Sequence, residues 1–342
     1  MKRLLKKLAP FAPDHSGAVS VLFELGGMIT LCDAGGCTGN VCGFDEPRWE
    51  HTPNAVFSAA LRDMDAIMGR DDRLVKKLVR AMEVQDWPFA ALVGTPVPAV
   101  IGTDFAALRR MAAKQTGKPV IALSAAGTGL YDKGEEAAYL ELFQTFTEPG
   151  VADGNTIGVL GVTPLELGSA DPTGLVRKAF AKMAQKIFSY NSLEEIRQAA
   201  TVSCNIVLAP AGLAAAKFLQ EKFGTPYKVG PAILPWHIRE KAAELRGKKV
   251  LVIHQQFAAQ TVRELLKDAD VTLGNYFMQI PEFAQMQDVS LAGEDDFAEL
   301  VMKNNFDAVF ADPLFRRLIP DYQGTFVDFI HFAVSGKLEE DF

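Results

Sequence analysis

The sequence lacks the features that mark several large classes of protein. It has no uninterrupted apolar run long enough to cross a bilayer, which argues against a membrane-spanning protein. It has no excess of positive charge, and its formal net charge of −7 argues against nucleic acid or an anionic membrane as its main partner. It contains no low-complexity tract and no repeat of fixed period. With 49% hydrophobic and 23% charged residues, it has the composition of an ordinary globular protein.

Nucleotide-binding fingerprints are missing as well. The chain has no G-x-x-x-x-G-K-[ST] and no G-x-G-x-x-G between a strand and a helix, so it is not expected to bind ATP through a phosphate-binding loop. The segment Ala126-Gly127-Thr128-Gly129 is more typical of a tight turn than of a phosphate cradle, although its amides could hold a carboxylate or a phosphate. The candidate site therefore has to be sought among other residues.

Cysteine is scarce, with four in 342 residues, but three of the four lie close together. Cys32, Cys37 and Cys42 are spaced five apart on a loop that also holds four glycines. Glycines let a backbone fold tightly and approach a bound group closely. Thiolates on a loop with few other ligands suit a soft, multi-iron centre. The loop therefore predicts a metal–sulfur site.

Two other interpretations of this loop stay open. Free cysteines pack well as small hydrophobic side chains, so the three thiols could belong to the core. Disulfides would leave one thiol unpaired, and nothing else in the sequence indicates secretion. The five-residue period matches neither the usual zinc spacing nor the common ferredoxin spacings. The spacing alone therefore does not identify the metal.

The first ten residues are basic, but their charges alternate with leucines and Pro10 follows them. A secretion signal needs an uninterrupted apolar segment after its basic start, and this segment has none. The pattern predicts a short basic amphipathic helix. Four cysteines without a secretion signal indicate a reducing environment, and we expect the cytoplasm.

Short apolar strands alternate with amphipathic helices along most of the chain. This alternation is typical of α/β units with parallel, doubly wound sheets. A polar run over residues 148–155 predicts the first domain boundary, and Gly247-Lys248-Lys249 precedes a final unit. The sequence therefore predicts three βαβ-type domains, over residues 1–150, 151–240 and 241–342.

Periodicity and helix-capping residues predict the individual elements. Predicted strands cover residues 28–31, 89–93, 119–123, 156–162, 205–209, 227–233, 250–254 and 306–311. Predicted helices cover residues 17–25, 71–84, 105–114, 172–188, 211–223, 236–245 and 258–267.

Polar and aromatic residues follow the cysteine loop at unusual density, namely Asp45, Glu46, Arg48 and Trp49. One interpretation is a solvated turn in which Trp49 covers core residues. The other is that Arg48 offsets the charge of the thiolates while Glu46 holds Arg48 by a bidentate pair. The sequence does not decide between the two.

Three histidines and the fourth cysteine are further candidates. His254 follows a predicted strand, and residues at the ends of parallel strands often face ligand crevices, so it is a candidate substrate or proton-transfer group. A hydrogen-bonded histidine without a catalytic role is the alternative, and the same two interpretations apply to His15 and His237. Cys204, directly before a predicted strand, is interpreted as a buried structural cysteine.

Several short motifs occur in the order and spacing of one family. Residues 33–37, Asp-Ala-Gly-Gly-Cys, resemble an H-G-x-x-G-C motif, and residues 65–74 resemble a D-x-x-F-G-G-x-x-x-L motif. Residues 99–105 resemble an I-G-D-D stretch, and residues 155–158, 205–208 and 247–250 fall where later domains begin or continue. The chain therefore resembles nitrogenase component 1, the superfamily of the molybdenum–iron protein subunits, the dark-operative protochlorophyllide and chlorophyllide reductases, and cofactor-assembly scaffolds.

The resemblance implies three Rossmann-like or flavodoxin-like domains with parallel sheets. It implies an iron–sulfur cluster, [4Fe–4S] or larger, and a dimer with a second copy or with a paralogous subunit. It also implies a nitrogenase-like oxidoreductase component that takes electrons from a separate ATP-dependent reductase, similar to the nitrogenase iron protein, and passes them to an unidentified substrate. A non-catalytic scaffold or carrier for cluster assembly is the alternative, and a metal-free binding protein of the same fold is a third possibility.

The expected ligand pattern departs from that of the family. Family members draw cluster ligands from three separated places, and only Cys37 falls on one of them. The other two places fall near Pro13 and Pro96, whose side chains cannot bind iron. Cys32 stands where the family motif has a histidine. These departures leave the nuclearity of any cluster open.

A cluster is therefore expected on a local set of ligands, Cys32, Cys37 and Cys42. The fourth ligand is expected to be Asp33, a water or a group from a second subunit. Gly36 and the other loop glycines are expected to supply amide donors to the sulfurs, which would tune the potential of the cluster.

Overall fold

Three parallel β-sheets, each covered by helices, form the described part of this computed structural model, residues 5–50 and 55–342. Every pairing between two strands is parallel. Parallel sheets are covered on both faces, which explains why their strands are continuous apolar runs rather than alternating ones. The predicted α/β fold class with parallel sheets is confirmed.

The first sheet has the strand order β2-β1-β3-β4. Its elements are α1 (Asp14–Leu22), β1 (Met28–Leu31), α2 (Gly36–Asn40), β2 (Val56–Ser58), α3 (Asp63–Met68), α4 (Asp71–Met82), β3 (Ala90–Val93), α5 (Pro96–Val100), α6 (Phe105–Thr116), β4 (Val120–Leu123) and α7 (Tyr131–Phe146). Leu31 of β1 lies opposite Val93 of β3, so the two inner strands end at the same level. The cysteine loop begins there, at the carboxyl edge where parallel sheets commonly bind ligands.

The second sheet has the strand order β6-β5-β7-β8. Its elements are β5 (Thr156–Leu160), α8 (Pro164–Leu167), α9 (Pro172–Phe180), β6 (Lys186–Phe188), α10 (Leu193–Arg197), β7 (Cys204–Val207), α11 (Leu213–Phe223), β8 (Tyr227–Val229) and α12 (Trp236–Glu244). The predicted helix over residues 172–188 is wrong beyond Phe180. Residues 186–188 instead pair with β5, with Lys186 opposite Thr156, and this long-range pairing overrides the local helical pattern.

The third sheet has the strand order β11-β10-β9-β12-β13. Its elements are β9 (Lys249–Ile253), α13 (Gln256–Leu265), β10 (Asp270–Asn275), β11 (Val289–Ser290), α14 (Glu294–Asn304), β12 (Ala308–Ala311), β13 (Thr325–Asp328) and α15 (Phe332–Ser335). Two of its three inner strands, β9 and β12, were predicted, whereas β10 was not. The edge strands β11 and β13 have only two and four residues, and they are held by pairing more than by their own sequence.

The segment before α1 crosses to the third sheet instead of forming the predicted helix. The amides of Lys6, Lys7 and Leu8 donate to one carboxylate oxygen of Glu294, over 2.9, 2.8 and 2.7 Å. Phe11 is buried among aromatic side chains that follow β10 and β12. The helix prediction is therefore wrong for residues 5–10, and its first four residues lie outside the described residues.

Helix α7 packs against α1 and also against α10 and α11, so it links the first sheet to the second. Helices α1 and α7 approach so closely because each has a glycine at the crossing. A Cβ on Gly17 would lie 1.9 Å from the Tyr131 carbonyl oxygen, and one on Gly134 would lie 1.7 Å from that of Asp14. The predicted boundary near residue 150 follows α7, and the three domain limits stay predictions.

Within the described ranges, every helix is too short or too polar to cross a bilayer.

Candidate functional site

The cysteine loop leaves the first sheet at the end of β1. The Cys32 amide still donates to the Val93 carbonyl oxygen at 2.8 Å, as if the strand continued for one more residue. Gly35 then has φ of 120°, a conformation that residues with a side chain rarely adopt. Helix α2 follows and runs into a π-helical turn, Val41–Asp45. Single π-turns of this kind are frequent at functional sites.

Cys32 lies in the hydrophobic core. Its side chain is fully buried in a cluster that includes Met28, Leu74 and Leu108. Burial raises the pKa of the Cys32 thiol to about 12, and the charges of Asp33 and Asp71 act in the same direction. Iron binds the thiolate and not the thiol, so Cys32 does not fit the role of a ligand in this conformation.

Cys37 and Cys42 are only partly buried. Thr95 lies beside the Cys37 thiol, and its hydroxyl group donates to the Cys32 carbonyl oxygen at 2.8 Å. Burial, and then the charge of Asp33, raises the pKa of Cys37. Burial also raises the pKa of Cys42, followed by the charges of Glu46 and Asp33. Both thiols can be reached from outside, so they fit the role of iron ligands.

The surroundings of these two thiols are open. A side chain added at the loop glycines Gly36, Gly39 or Gly43 would meet no other atom within 4 Å. Among the described residues, however, no three His, Cys, Asp or Glu side chains are placed to hold a metal ion together. The described part of one chain therefore does not assemble the predicted trio into a ready site, and the ligand set stays a prediction.

Asp33 is fully engaged inside the loop. One carboxylate oxygen accepts from the amide and hydroxyl groups of Thr38, at 2.8 and 3.1 Å, and the other accepts from the Ser58 hydroxyl at 2.6 Å. Leu61 donates its amide to the Asp33 carbonyl oxygen at 2.8 Å. Asp33 thus ties α2 to β2 and holds the loop in shape, which leaves little of it for a metal.

Arg48 is buried and held by acidic partners. Its Nε and Nη2 donate to the two carboxylate oxygens of Glu46, each at 2.7 Å, which confirms the predicted bidentate pair. Nη1 donates to Glu24 at 3.1 Å, and Nη2 also donates to the Ser20 carbonyl oxygen at 2.6 Å. Burial lowers the pKa of Arg48, but Glu46 and then Glu24 outweigh burial and raise it. Its charge is therefore matched by two carboxylates rather than by thiolates.

We expect Arg48→Met to lower the free energy of unfolding by roughly 3–5 kcal/mol, because it leaves Glu46 buried without its partner. Chemical denaturation measures the change. The double variant Glu46→Leu/Arg48→Met serves as control and should recover most of the loss, since it removes both charges. A single-variant loss below about 1 kcal/mol would contradict the role of this pair.

Helix α1 anchors the far end of the loop. The Ser16 hydroxyl donates to Asp45 at 2.7 Å, and Asn40 donates to the same oxygen at 2.8 Å. Burial raises the pKa of Asp45 despite these bonds. His15 is buried beside Asp14, and its Nδ1 has no hydrogen-bond partner among the described residues. These contacts fix the loop against α1.

The turn after β4 is a tight turn, as predicted, and its amides are already occupied. Asp14 accepts from the amides of Ala126 and Gly127 at 3.0 and 2.8 Å. A carboxylate of the chain itself thus takes the position that a phosphate would need. Next to it, an open groove of about 420 Å³ is lined by Ser124, Lys133 and other residues of α1, β4 and α7.

The remaining candidates are Cys204, His237 and His254. The first two are structural, and His254 belongs to a second group of polar side chains. Cys204 was expected to be buried, but it is only partly buried because it is the first residue of β7. His237 lies on the surface, with its ring bonded to the Asp328 carbonyl oxygen at 2.8 Å. His254 is buried and stacked on His331, with ring centroids 4.2 Å apart.

Sequence reasoning missed the acidic neighbours of that histidine pair, Glu135 and Glu166. Glu135 lies one helical turn after Tyr131 on α7, a helix that was not predicted. Glu166 stands three residues after Thr163, which caps α8 through its hydroxyl group. The pattern Thr-x-x-Glu is typical of a helix start and gave no sign of a buried acid.

Comparison with known proteins identifies relatives of the chain. A family described as nitrogenase component 1 type oxidoreductase matches residues 13–234. The nitrogenase iron-molybdenum cofactor biosynthesis protein NifE of Klebsiella pneumoniae is 40% identical over 72 residues, which are 21% of this chain and 16% of that protein. The chain thus matches only about a sixth of the length of this curated relative.

Solved structures show the same fold at low sequence identity. The structure of nitrogenase Cp1 at pH 6.5 has a TM-score of 0.71 at 12% identity and covers 96% of this chain and 87% of that chain. The structure of nitrogenase Cp1 at pH 5 has a TM-score of 0.72 at 14% identity, with coverages of 100% and 87%. At such identities the likeness concerns the fold alone.

Proposed function

Because this chain belongs to the nitrogenase component 1 type oxidoreductase family, we propose that it is a redox component that holds an iron–sulfur cluster on its cysteine loop. The observation that carries the proposal is the pair of partly exposed thiols, Cys37 and Cys42, on a loop whose glycines face open space. Electrons would come from a separate ATP-dependent reductase similar to the nitrogenase iron protein and pass to an unidentified substrate. The four free cysteines suit a reducing compartment, and we propose the cytoplasm.

The number of partly exposed thiols in each chain favours a cluster that is shared between two chains. A [4Fe–4S] cluster takes four thiolates, and each chain offers two, Cys37 and Cys42. Two chains related by a twofold axis would therefore supply a complete set, with the cluster between them. Cys32 would stay in the core, which narrows the trio predicted from the sequence to a pair from each chain.

Exposed apolar side chains on the loop and on helices joined to it support this pairing of chains. Phe44 on the loop is 74% exposed, Ile67 of α3 is 75% exposed and Val100 of α5 is 86% exposed. Helix α3 begins two residues after Leu61, which is bonded to the loop, and α5 follows Thr95, which contacts Cys37. Large exposed apolar side chains around a binding site are typical of surfaces that a second chain covers. We favour a homodimer, with a paralogous second subunit as the alternative.

A bound cluster would supply one-electron transfer, and the residues of this chain would set the conditions for it. Thr95 lies beside the Cys37 sulfur, and the open space around the loop glycines leaves room for the other sulfurs of a cluster. Cys37 and Cys42 must each lose a proton to bind iron. Because their pKa values are raised, loading with iron should improve as the pH rises.

We expect the anaerobically reconstituted protein to contain about two iron and two sulfide ions per chain, as half of a shared four-iron cluster. Iron and sulfide analysis, the ultraviolet–visible spectrum and sedimentation of the same sample measure content, cluster type and mass together. A protein that binds no iron, or that binds a complete cluster as a monomer, would overturn the proposed arrangement.

Val100→Asp tests the surface without touching a thiol. We expect it to shift the reconstituted protein to monomers and to reduce the iron content at least fivefold, because a charge covered by the second chain must be desolvated. Val151→Asp is the matched control, since Val151 is 89% exposed and lies in the segment that joins α7 to β5, and it should leave both the mass and the iron content unchanged.

The second candidate function is a scaffold or carrier that builds or passes on a metal cluster. The 40% identity to a cofactor biosynthesis protein over 72 residues favours it. The loaded protein should then be mixed separately with an ATP-dependent iron-protein reductase and with a cluster-free acceptor. Reduction and reoxidation with the cluster retained supports the redox component, whereas loss of iron to the acceptor supports the scaffold.

A further inference from the structure

A group of buried acidic, phenolic and imidazole side chains lies where elements of all three sheets meet. Glu135 of α7 and Tyr131 at its start are fully buried, Glu166 of α8 is 5% exposed, and His331 before α15 is 2% exposed. Burying a carboxyl group costs free energy unless it is hydrogen-bonded or neutralised. Two such groups side by side therefore call for an explanation.

The hydrogen bonds of these groups are incomplete. Thr163 donates to one oxygen of Glu135 at 2.6 Å. The other oxygen of Glu135 and both oxygens of Glu166 have no hydrogen-bond partner among the described residues. The Tyr131 hydroxyl lies 2.9 Å from His331 Nε2, and it is also close enough to interact with Glu166. Tyr131 thus neighbours both groups: its hydroxyl group is bonded to His331, and a small movement of the Glu166 carboxyl group would complete the row.

Protonation states follow from this burial. Burial, and then the charge of Glu135, raises the pKa of Glu166 well above its usual range. Burial also raises the pKa of Glu135, despite the bond from Thr163. Burial and the neighbouring His254 lower the pKa of His331. At neutral pH the carboxyl pair therefore holds at least one proton, and His331 is a neutral base.

A small cavity gives Glu166 access to water. The cavity has a volume of about 20 Å³, which is enough for one water molecule, and Glu166, His254 and Glu339 line it. His254 Nδ1 accepts from the Gln255 amide at 2.9 Å, so its Nε2 carries the hydrogen that faces the Ile330 carbonyl oxygen. Glu339 belongs to the partly exposed C-terminal segment and connects the cavity to the surface.

Other titratable and charged groups also face the carboxyl pair and its histidine. From the elements packed around them these are Tyr131, Asp132 and Tyr139 of α7, Arg48 after the cysteine loop, His254 after β9, Asp312 after β12 and Glu339 near the C-terminus.

We infer that Glu166, Tyr131 and His331 form a proton-transfer chain fed from the cavity. The O–H bond of Glu166 breaks as its proton passes to the Tyr131 oxygen, and the phenolic proton passes in turn to His331 Nε2. This leaves a carboxylate and an imidazolium. A water in the cavity then passes a proton to Glu166 and takes one from solvent, so that no hydroxide remains. A role for this proton in a reduction, together with an electron, rests on the proposed function. The proton-transfer chain of Glu166, Tyr131 and His331 does not depend on that function.

Infrared spectroscopy of the metal-free protein tests the proton-transfer chain directly. At neutral pH the wild-type protein should show the C=O stretching band of a protonated carboxyl group, shifted in D₂O. Glu166→Gln should remove or displace this band, while Glu264→Gln on the surface of the protein, as matched control, should not change it. Absence of any such band in the wild type, or a band insensitive to Glu166→Gln, would overturn the inference.

Tyr131→Phe tests whether Tyr131 links Glu166 to His331, and it replaces the first test if Glu166→Gln fails to fold. It removes only the hydroxyl, so the carboxyl band should persist at a changed frequency. Nuclear magnetic resonance of ¹⁵N-labelled histidine should show that the His331 nitrogens respond to ionisation of the carboxyl pair in the wild type and not in this variant. An unchanged band and an unchanged histidine response would show that Tyr131 does not connect the two. Since the sample contains no iron, failure here leaves the cysteine-loop proposal untouched.

The pH dependence of the free energy of unfolding tests the proton on Glu166 independently of spectroscopy. The folded protein keeps a proton on Glu166 that the unfolded chain releases above about pH 4.5, the ordinary value for glutamate. The free energy of unfolding should therefore fall as pH rises from there through neutrality. Glu166→Gln cannot ionise, so its stability should fall less steeply over the same range. Equal slopes for the two proteins would contradict a proton held at Glu166.

Discussion

Cys37→Ser is expected to reduce the iron and sulfide content of the reconstituted protein from about two of each per chain to nearly none. Each chain of the proposed dimer supplies only two thiolates, so the change removes two of four ligands from the shared cluster. Serine keeps nearly the same size, but its hydroxyl group does not ionise at neutral pH. The visible absorption of the cluster should disappear together with the iron, and Cys42→Ser should have the same effect.

Cys32→Ala and Cys204→Ser are the controls for this experiment. Cys32 is fully buried with a thiol pKa of about 12, so Cys32→Ala should keep the iron. It should lower the free energy of unfolding by about 1–2 kcal/mol because it removes packed atoms from the core. Cys204→Ser should change neither reading. Loss of iron in the Cys32 variant would restore Cys32 to the ligand set, and full iron in the Cys37 variant would remove Cys37 from it.

Gly134→Ala is expected to prevent folding to the native structure. The added Cβ would lie 1.7 Å from the Asp14 carbonyl oxygen and 2.8 Å from the Ala18 amide nitrogen, both backbone atoms of α1. Neither helix can move aside, because α7 also packs against α10 and α11. We expect a loss of more than about 5 kcal/mol, which is comparable to the whole stability of many proteins. Soluble yield and circular dichroism provide the measurement.

Gly39→Ala is the matched control, since Gly39 is helical and a Cβ there meets nothing within 4 Å. It should fold normally, because alanine favours a helix more than glycine does. Gly17→Ala should resemble Gly134→Ala, because it meets the Tyr131 carbonyl oxygen at 1.9 Å. A stable, native Gly134→Ala protein would mean that α1 and α7 do not approach as closely as described.

Most inner strands of the sheets were predictable, together with the edge strands β4 and β8, whereas β10, the other edge strands and the contacts between helices were not. β1 and β9 are buried apolar runs whose type and limits follow from their own residues. β6 exists because Lys186 and its neighbours pair with β5, and no local pattern reports such pairing. Helix α7 was missed because its apolar and acidic positions are both buried, which removes the contrast that marks an amphipathic helix.

The sequence located the candidate site but did not show which role each of its residues has. The loop and its glycines were visible in the residues, and the Glu46–Arg48 pair was one of two interpretations of them. Cys32 looked equivalent to its two neighbours because spacing cannot tell which side chain enters the core. Asp33 looked like a ligand because its partners Thr38 and Ser58 meet it only in the folded loop.

The three hydrogen bonds from backbone amides to Glu294 affect how the protein folds during its synthesis on the ribosome. They join residues 6–8 to the start of α14, nearly three hundred positions later in the chain. During synthesis the leading segment must stay without its partner until most of the polypeptide has emerged, and contacts between such distant positions form slowly. A nascent chain stalled before α14 should therefore leave its N-terminal segment open to proteases, even with the first sheet already folded.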